Sequence, residues 1–199
     1  MGLDKNKLKQ GLIDNYNSGA QDGERTQQDS SKEMARVIVD YASDAELIIV
    51  GSPPLIPVPP PAVPTPDASV MGKKVKVATA KSGEKVLQSG IDGSFTAQDP
   101  TLMLMATAIQ SYVPMSFTAF NNKSILPPTI NVTGAAVMAV PPLLSPASAK
   151  GMAGGSVEDV SGIMATAIHT AFLATLFTGS VVHLSSGAVI PGVISGTLI

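Results

Sequence analysis

The chain has 199 residues, with 13 Lys+Arg against 15 Asp+Glu, and a formal net charge of −2. That balance argues against a nucleic-acid or polyanion partner, which needs a concentrated basic surface. The absence of Cys excludes disulfide scaffolds, zinc-thiolate sites, iron–sulfur clusters and thiol catalysis.

Residues 1–18 start charged and stay polar, without the apolar stretch of a secretory signal, so synthesis in the cytoplasm is expected. Leu3, Leu8, Leu12 and Ile13 fall near one face of a short helix over 4–16. Residues 17–29 are polar and glycine-containing and read as a loop. Ser30 stands three residues before Glu33, a capping-box pattern. Met34, Val37, Ile38, Tyr41, Ala42 and Ala45 follow at helical spacing and predict a helix over 31–43. The apolar run 46–50 is a strand or the end of that helix. Together these form an N-terminal helical region, 1–52.

Residues 53–66 hold eight prolines. Each fixes φ and removes a backbone donor, so an extended polyproline strap is expected over 53–70. Its apolar residues suit it to lie along a surface. Residues 71–98 read as a β-hairpin. Lys74 and Lys76 alternate with Val75 and Val77, Ser82-Gly83 supplies a turn, and Val86 and Leu87 return. Lys73, Lys74, Lys76, Lys81 and Lys85 cluster here, but no aromatic residue interleaves with them, so they read as a solvated face.

Charge is then almost exhausted. Residues 101–199 carry four charged side chains: Lys123, Lys150, Glu158 and Asp159. Ordinary soluble surfaces are roughly 25–35% charged. The region 99–199 is therefore expected to be an apolar assembly region covered by other chains, with helices near 99–112 and 157–178. Within it, residues 105–109 and 164–168 share the string Met-Ala-Thr-Ala-Ile, 59 residues apart. Asp99 precedes the first copy, and Glu158 and Asp159 precede the second, where acids complement a helix dipole. Ser156 and Asp159 pair as an N-cap. The echo predicts two apolar helix-plus-short-strand units related by internal duplication. The tail from Ser180 reads as short strands between Gly and Pro breaks.

Residues 160–182 are uncharged and long enough to cross a hydrocarbon core, which needs about 20 residues. Their Ser, Thr and His content, and the missing flanking Lys or Arg, rank membrane contact below assembly. His169 and His183 lack the partners of a metal or catalytic site. No nucleophile elbow, Walker loop or dinucleotide fingerprint occurs. The Gly-rich stretch 151–156 reads as a hinge and helix start. No catalytic, cofactor-binding or metal-binding residue is assigned, and no cofactor is expected.

The expectation is an α+β fold: N-terminal helices, a Pro-rich strap, a β-hairpin, then the two helix-plus-strand units. The expected function is a non-enzymatic structural subunit of a large assembly. Its composition is that of a virion component such as part of a phage tail, baseplate or neck. The expected partners are copies of itself and other structural subunits, without nucleic acid, and the chain enters a virion after cytoplasmic synthesis. The alternative is a membrane-inserting or pore-forming protein using 160–182. Candidate interface residues are Met105, Ile109, Ile163, Met164, Ile168, Phe172, Leu176 and Phe177.

Overall fold

The computed structural model describes residues 2–21, 23–50, 55–56, 65–66, 72, 74–76, 83–98, 102–117, 123–126, 130–138, 142, 154–183 and 190–199. The fold is α+β. Among the described residues five helices, α1 (Lys5–Gln21), α2 (Gln27–Ser43), α3 (Glu84–Thr96), α4 (Met103–Ser116) and α5 (Val157–Leu173), pack over a sheet. Its strands are β1 (Glu46–Val50), β4 (Lys74–Lys76), β5 (Lys123–Leu126), β6 (Ile130–Val137), β7 (Leu176–His183) and β8 (Ile190–Leu198). They lie in the order β4-β1-β8-β7-β6-β5, and every neighbouring pair is antiparallel. Strands β2 (Leu55–Ile56) and β3 (Thr65–Pro66) pair separately.

The helix starts follow from local chemistry. Ser156 Oγ accepts from the Asp159 N–H at 3.2 Å, and the Asp159 carboxylate accepts from the Ser156 N–H at 3.3 Å. This is the N-cap pair expected from sequence. Helix α2 starts with the same device one turn earlier than Ser30 and Glu33 suggest. Thr26 is its N-cap and Asp29 its reciprocal acceptor. The earlier start lets Gln27 Nε2 donate to Asp92 Oδ1 at 3.0 Å and Thr96 Oγ1 at 2.8 Å, tying α2 to α3. Helix α1 likewise outruns its expected end at 16. Arg25 folds back and donates to the Asn15 carbonyl at 2.9 Å, covering the last turns.

Three other expectations are corrected. The hairpin over 71–98 does not form: β4 pairs with β1, and the expected return is helix α3. Leu87, Ile91 and Ser94 are buried at helical spacing there, a stripe that Gly90 and Gly93 disguise in the sequence. The helix expected over 99–112 starts at Met103, after Leu102 turns through φ 52°, and continues past Pro114 to Ser116. Asp99, its expected acidic start, lies outside the described residues. The helix expected over 157–178 stops at Leu173. From Leu176 the chain is a strand, because its β-branched run ladders with β6 on one side and β8 on the other. The continuous apolar helix on which a membrane span over 160–182 depended is thus absent. Among the described residues no helix is long and apolar enough to cross a membrane. Most of the strap, and the Gly-rich stretch 151–153, lie outside the described residues. Within the strap's described part, Leu55 pairs with Pro66 and Ile56 with Thr65.

The core lies between the helices and one face of the sheet. Helix α1 packs between α2 and α5, α2 packs on α3, and α3 on α4. The C-terminal ends of α2, α4 and α5 meet in an aromatic cluster. Phe172 stacks edge-on to Tyr41 at 5.5 Å and to Phe117 at 6.1 Å, and Phe117 meets Tyr112 at 6.4 Å. From the sheet, Leu47, Ala136, Phe177 and Leu198 join the same core. Phe177 sits opposite Ala136 on β6 and Gly196 on β8, so its ring is flanked by the smallest side chains.

Burial repeats along the chain. Ser31, Ala35, Ile38, Ala42, Ala45 and Leu47 are buried, and so are Ser161, Ala165, Ile168, Phe172, Thr175 and Phe177, each 130 residues later. Helices α2 and α5 have 17 residues each and both begin in a capping box. Leu8, Leu12 and Asn15 of α1 are likewise matched by Leu87, Ile91 and Ser94 of α3, 79 residues later. Gly11 and Gly90 share that spacing and a role. A Cβ on Gly11 would lie 2.7 Å from Val37 Cγ1, and one on Gly90 2.1 Å from Ala108 Cβ. Each glycine lets its helix touch the next.

Gly90→Ala drives a methyl into Ala108 and is expected to lower stability by roughly 1–3 kcal/mol. Adding Ala108→Gly should recover part of that loss in a denaturant titration. The carboxyls of Asp29 and Asp159 are held below the usual 3.8, chiefly by the hydroxyls of Thr26 and Ser156. A depressed acid stabilises the fold above its unfolded pKa and loses that contribution as pH falls through the folded value. Thermal melts from pH 5 downward should therefore be less pH-dependent in Asp29→Asn/Asp159→Asn than in the native chain.

Candidate assembly surface

The residues expected to form an interface divide sharply. Met105, Ile109, Met164, Ile168, Phe172 and Phe177 are buried in the chain's own core. Ile163 is half-buried. Only Leu176 is open to a partner, at 55% exposure. The reason is amphipathic geometry: the apolar stripes of α4 and α5 cover one another's ends and the sheet, and the charged helices α1 and α2 complete the cover. A second copy has no access to these six side chains in this fold.

Beside Leu176, further uncharged surface that sequence reasoning missed is exposed. Val137 lies opposite Leu176 across β6 and β7, and both are exposed while their neighbours Ala136 and Phe177 are buried. Strand alternation puts the first pair on the face of the sheet away from the core. Leu173, at the end of α5, is exposed three residues earlier. On α4, Met103, Leu104 and Met115 are exposed. No charged residue occurs between 102 and 117. Strand pairing and helix phase select these residues, and neither was legible before the strand boundaries were known.

His169, the one described histidine side chain, has a structural partner. Its Nδ1 lies 2.7 Å from Tyr41 Oη. Burial, then the nearby Lys5 ammonium, pushes the imidazole below its ordinary pKa, against a weaker opposing pull from Asp4. Burial raises the Tyr41 phenol well above its usual value. With the imidazole neutral and the phenol protonated, Tyr41 donates, Nδ1 accepts, and the ring proton sits on Nε2. The pair pins α5 to α2 beside the aromatic cluster. Burial also pushes Tyr112 up to about 12. Among the described residues no cluster of three His, Asp or Glu could hold a metal. A recess of about 370 Å³ beside Leu12, Met34, Phe95 and Met164 is lined without a charged residue.

No family model matches the chain, and neither a curated protein nor a solved structure matches it.

The Tyr41–His169 pair sets a pH dependence. A histidine whose folded pKa is depressed stabilises the fold fully above the unfolded value of 6.5 and loses that contribution as pH falls through the folded pKa. The melting temperature of the native chain should fall between pH 7 and pH 5, and this fall should shrink in His169→Gln. Tyr41→Phe removes the donor and should cost about 1 kcal/mol at pH 7 by chemical denaturation.

Proposed function

We propose that this chain is a non-enzymatic structural subunit of a large assembly, of the kind that builds a phage tail, baseplate or neck. We infer further that it is made of three related helix-and-hairpin units. It is made in the cytoplasm and taken up into a particle. The observation that carries the assembly reading is the uncharged exposed surface. Val137 and Leu176, opposite one another on the outer face, are 52% and 55% exposed, and grouped apolar side chains of this kind mark protein interfaces.

The repeat reading draws on burial and on strand order. The first unit joins α1 and α2 to β1 and β4, the second joins α3 and α4 to β5 and β6, and the third joins α5 to β7 and β8. Matched buried positions support it: Ile38, Ile109 and Ile168 occupy the same place in α2, α4 and α5, as do Ala35, Ala106 and Ala165. The shared Met-Ala-Thr-Ala-Ile string is the part of this pattern visible as identity. A chain of repeated units is suited to repeated contacts.

Removing residues 160–199 is not a clean test, because β7 and β8 are the central strands. Point changes on the outer face are cleaner. The native chain is expected to run as a discrete oligomer in size-exclusion chromatography with light scattering. Leu176→Asp/Val137→Asp should shift it toward monomer, with each exposed change altering stability by no more than about 0.5 kcal/mol. A native chain that stays monomeric, and is missing from the purified particle, overturns the reading.

A further inference from the structure

The geometry points to a head-to-tail joint between copies of this chain, in which the free edge β5 of one copy pairs antiparallel with the free edge β4 of the next. This inference rests on the repeat reading above and names the contact that would carry the assembly.

The three units already join one another within the chain. Each contributes two neighbouring strands to the sheet, a leading strand and a trailing one. The leading strands are β1, β5 and β7, and the trailing strands are β4, β6 and β8. In the order β4-β1-β8-β7-β6-β5, each pair stands trailing then leading. Two joints between units therefore exist inside the chain, and they are alike. Leading β1 pairs antiparallel with trailing β8. Leading β7 pairs antiparallel with trailing β6.

The registers of the two joints agree as well. At one, Leu176, which opens β7, faces Val137, which closes β6. At the other, Glu46 opens β1 and exchanges both backbone hydrogen bonds with Ile199, just past the end of β8, at 3.1 and 2.8 Å. The opening residue of a leading strand thus faces the close of a trailing strand, to within one residue.

Two strands are left over. Among the described residues, leading strand β5 pairs only with β6, and trailing strand β4 only with β1. They are the complementary halves of the same joint, at opposite edges of one sheet. A third joint of this kind cannot form within the chain, so it requires a second copy. The contact is heterologous, and repetition gives a ring when the rotation closes and a filament when it does not. Lysines stand on both edges, Lys74 and Lys76 on β4 and Lys123 on β5, so like charges meet at the joint and it tightens where salt screens them.

The chain has no Cys, so thiols can be placed at will. Full-length Lys76→Cys and Lys123→Cys are prepared separately, one lengthened by a tag so that products separate on a gel. A bis-maleimide with a flexible spacer that spans several residues along the strands is then added to each alone and to the mixture, at low and high salt. The expected result is a mixed cross-linked dimer in the mixture, more abundant at high salt. Each variant alone should give little product. Homodimers in either single sample, matching the mixed product, overturn the joint in favour of like-edge pairing. Light scattering on the same samples separates the two readings. An oligomer without the mixed product overturns this joint and leaves the subunit reading standing. A monomer throughout, with no cross-link, overturns both.

Discussion

The pairing of β1 with β8 is the contact on which this architecture depends. It brings residues 47–50 beside residues 195–198 and joins the two ends of the described chain into one sheet. Without it, β1 and β4 would form an isolated two-stranded ribbon, which is marginal in water. Closing so long a loop costs entropy, although that cost grows only slowly with length. The compensation is burial: Leu47 and Leu198 face each other and both enter the core. The helices then have one continuous surface to cover, and α1 can lie between α2 and α5 only because both of their following strands belong to that surface.

The uneven charge acquires a physical meaning from this arrangement. Charge density alone suggests that residues 99–199 are buried by other chains. Much of that burial is internal. Helix α1 packs on α5, and the lysines and acids of α1 and α2 supply the solvated exterior for a core drawn from the uncharged half. Lys7, for instance, pairs with Asp44 at the C-terminal end of α2, on the outside of that layer. Composition reports how much apolar material must be hidden. It does not report whether the cover comes from the same chain. The pairing Val137–Leu176 marks where this chain's own cover stops.

The parts legible in the sequence were those governed by local chemistry. The Ser156–Asp159 cap, helix α5 and most of α2 follow from side chains within a few residues of one another. Helix α3 was hidden because its stripe of Leu87, Ile91 and Ser94 is broken visually by glycines, whose purpose lies in another helix: Gly90 is small because Ala108 is there. The end of α5 was misread because Leu176 to Val182 is as apolar as a helix core, and only the ladders on both sides make it a strand. The candidate interface met a related limit, with six of its eight residues buried in the chain's own core. Periodicity finds a buried face, and it cannot say what buries it. The 130-residue repetition was less visible than the 59-residue echo because it conserves burial and capping more than residue identity.

The proposed assembly requires the edges of the sheet to keep copies dispersed until they assemble. Free β edges are templates for indiscriminate pairing, and lysine is a common guard against it. Here β4 carries Lys74 and Lys76, and β5 carries Lys123. Lys123 is one of only four charged residues after position 100. In a half so poor in charge, a lysine on its edge strand is where a single charge prevents most. The cost of like-charge repulsion at one joint is small, since cross-strand pairs contribute only about 0.2–1 kcal/mol each. A guard of that size deters chance contact between dilute chains. It yields when an ordered neighbour supplies apolar contact elsewhere, as the exposed Val137, Leu173 and Leu176 can. In the proposed assembly, edge charge and open apolar surface are two parts of one device, the first setting when copies meet and the second holding them once they do.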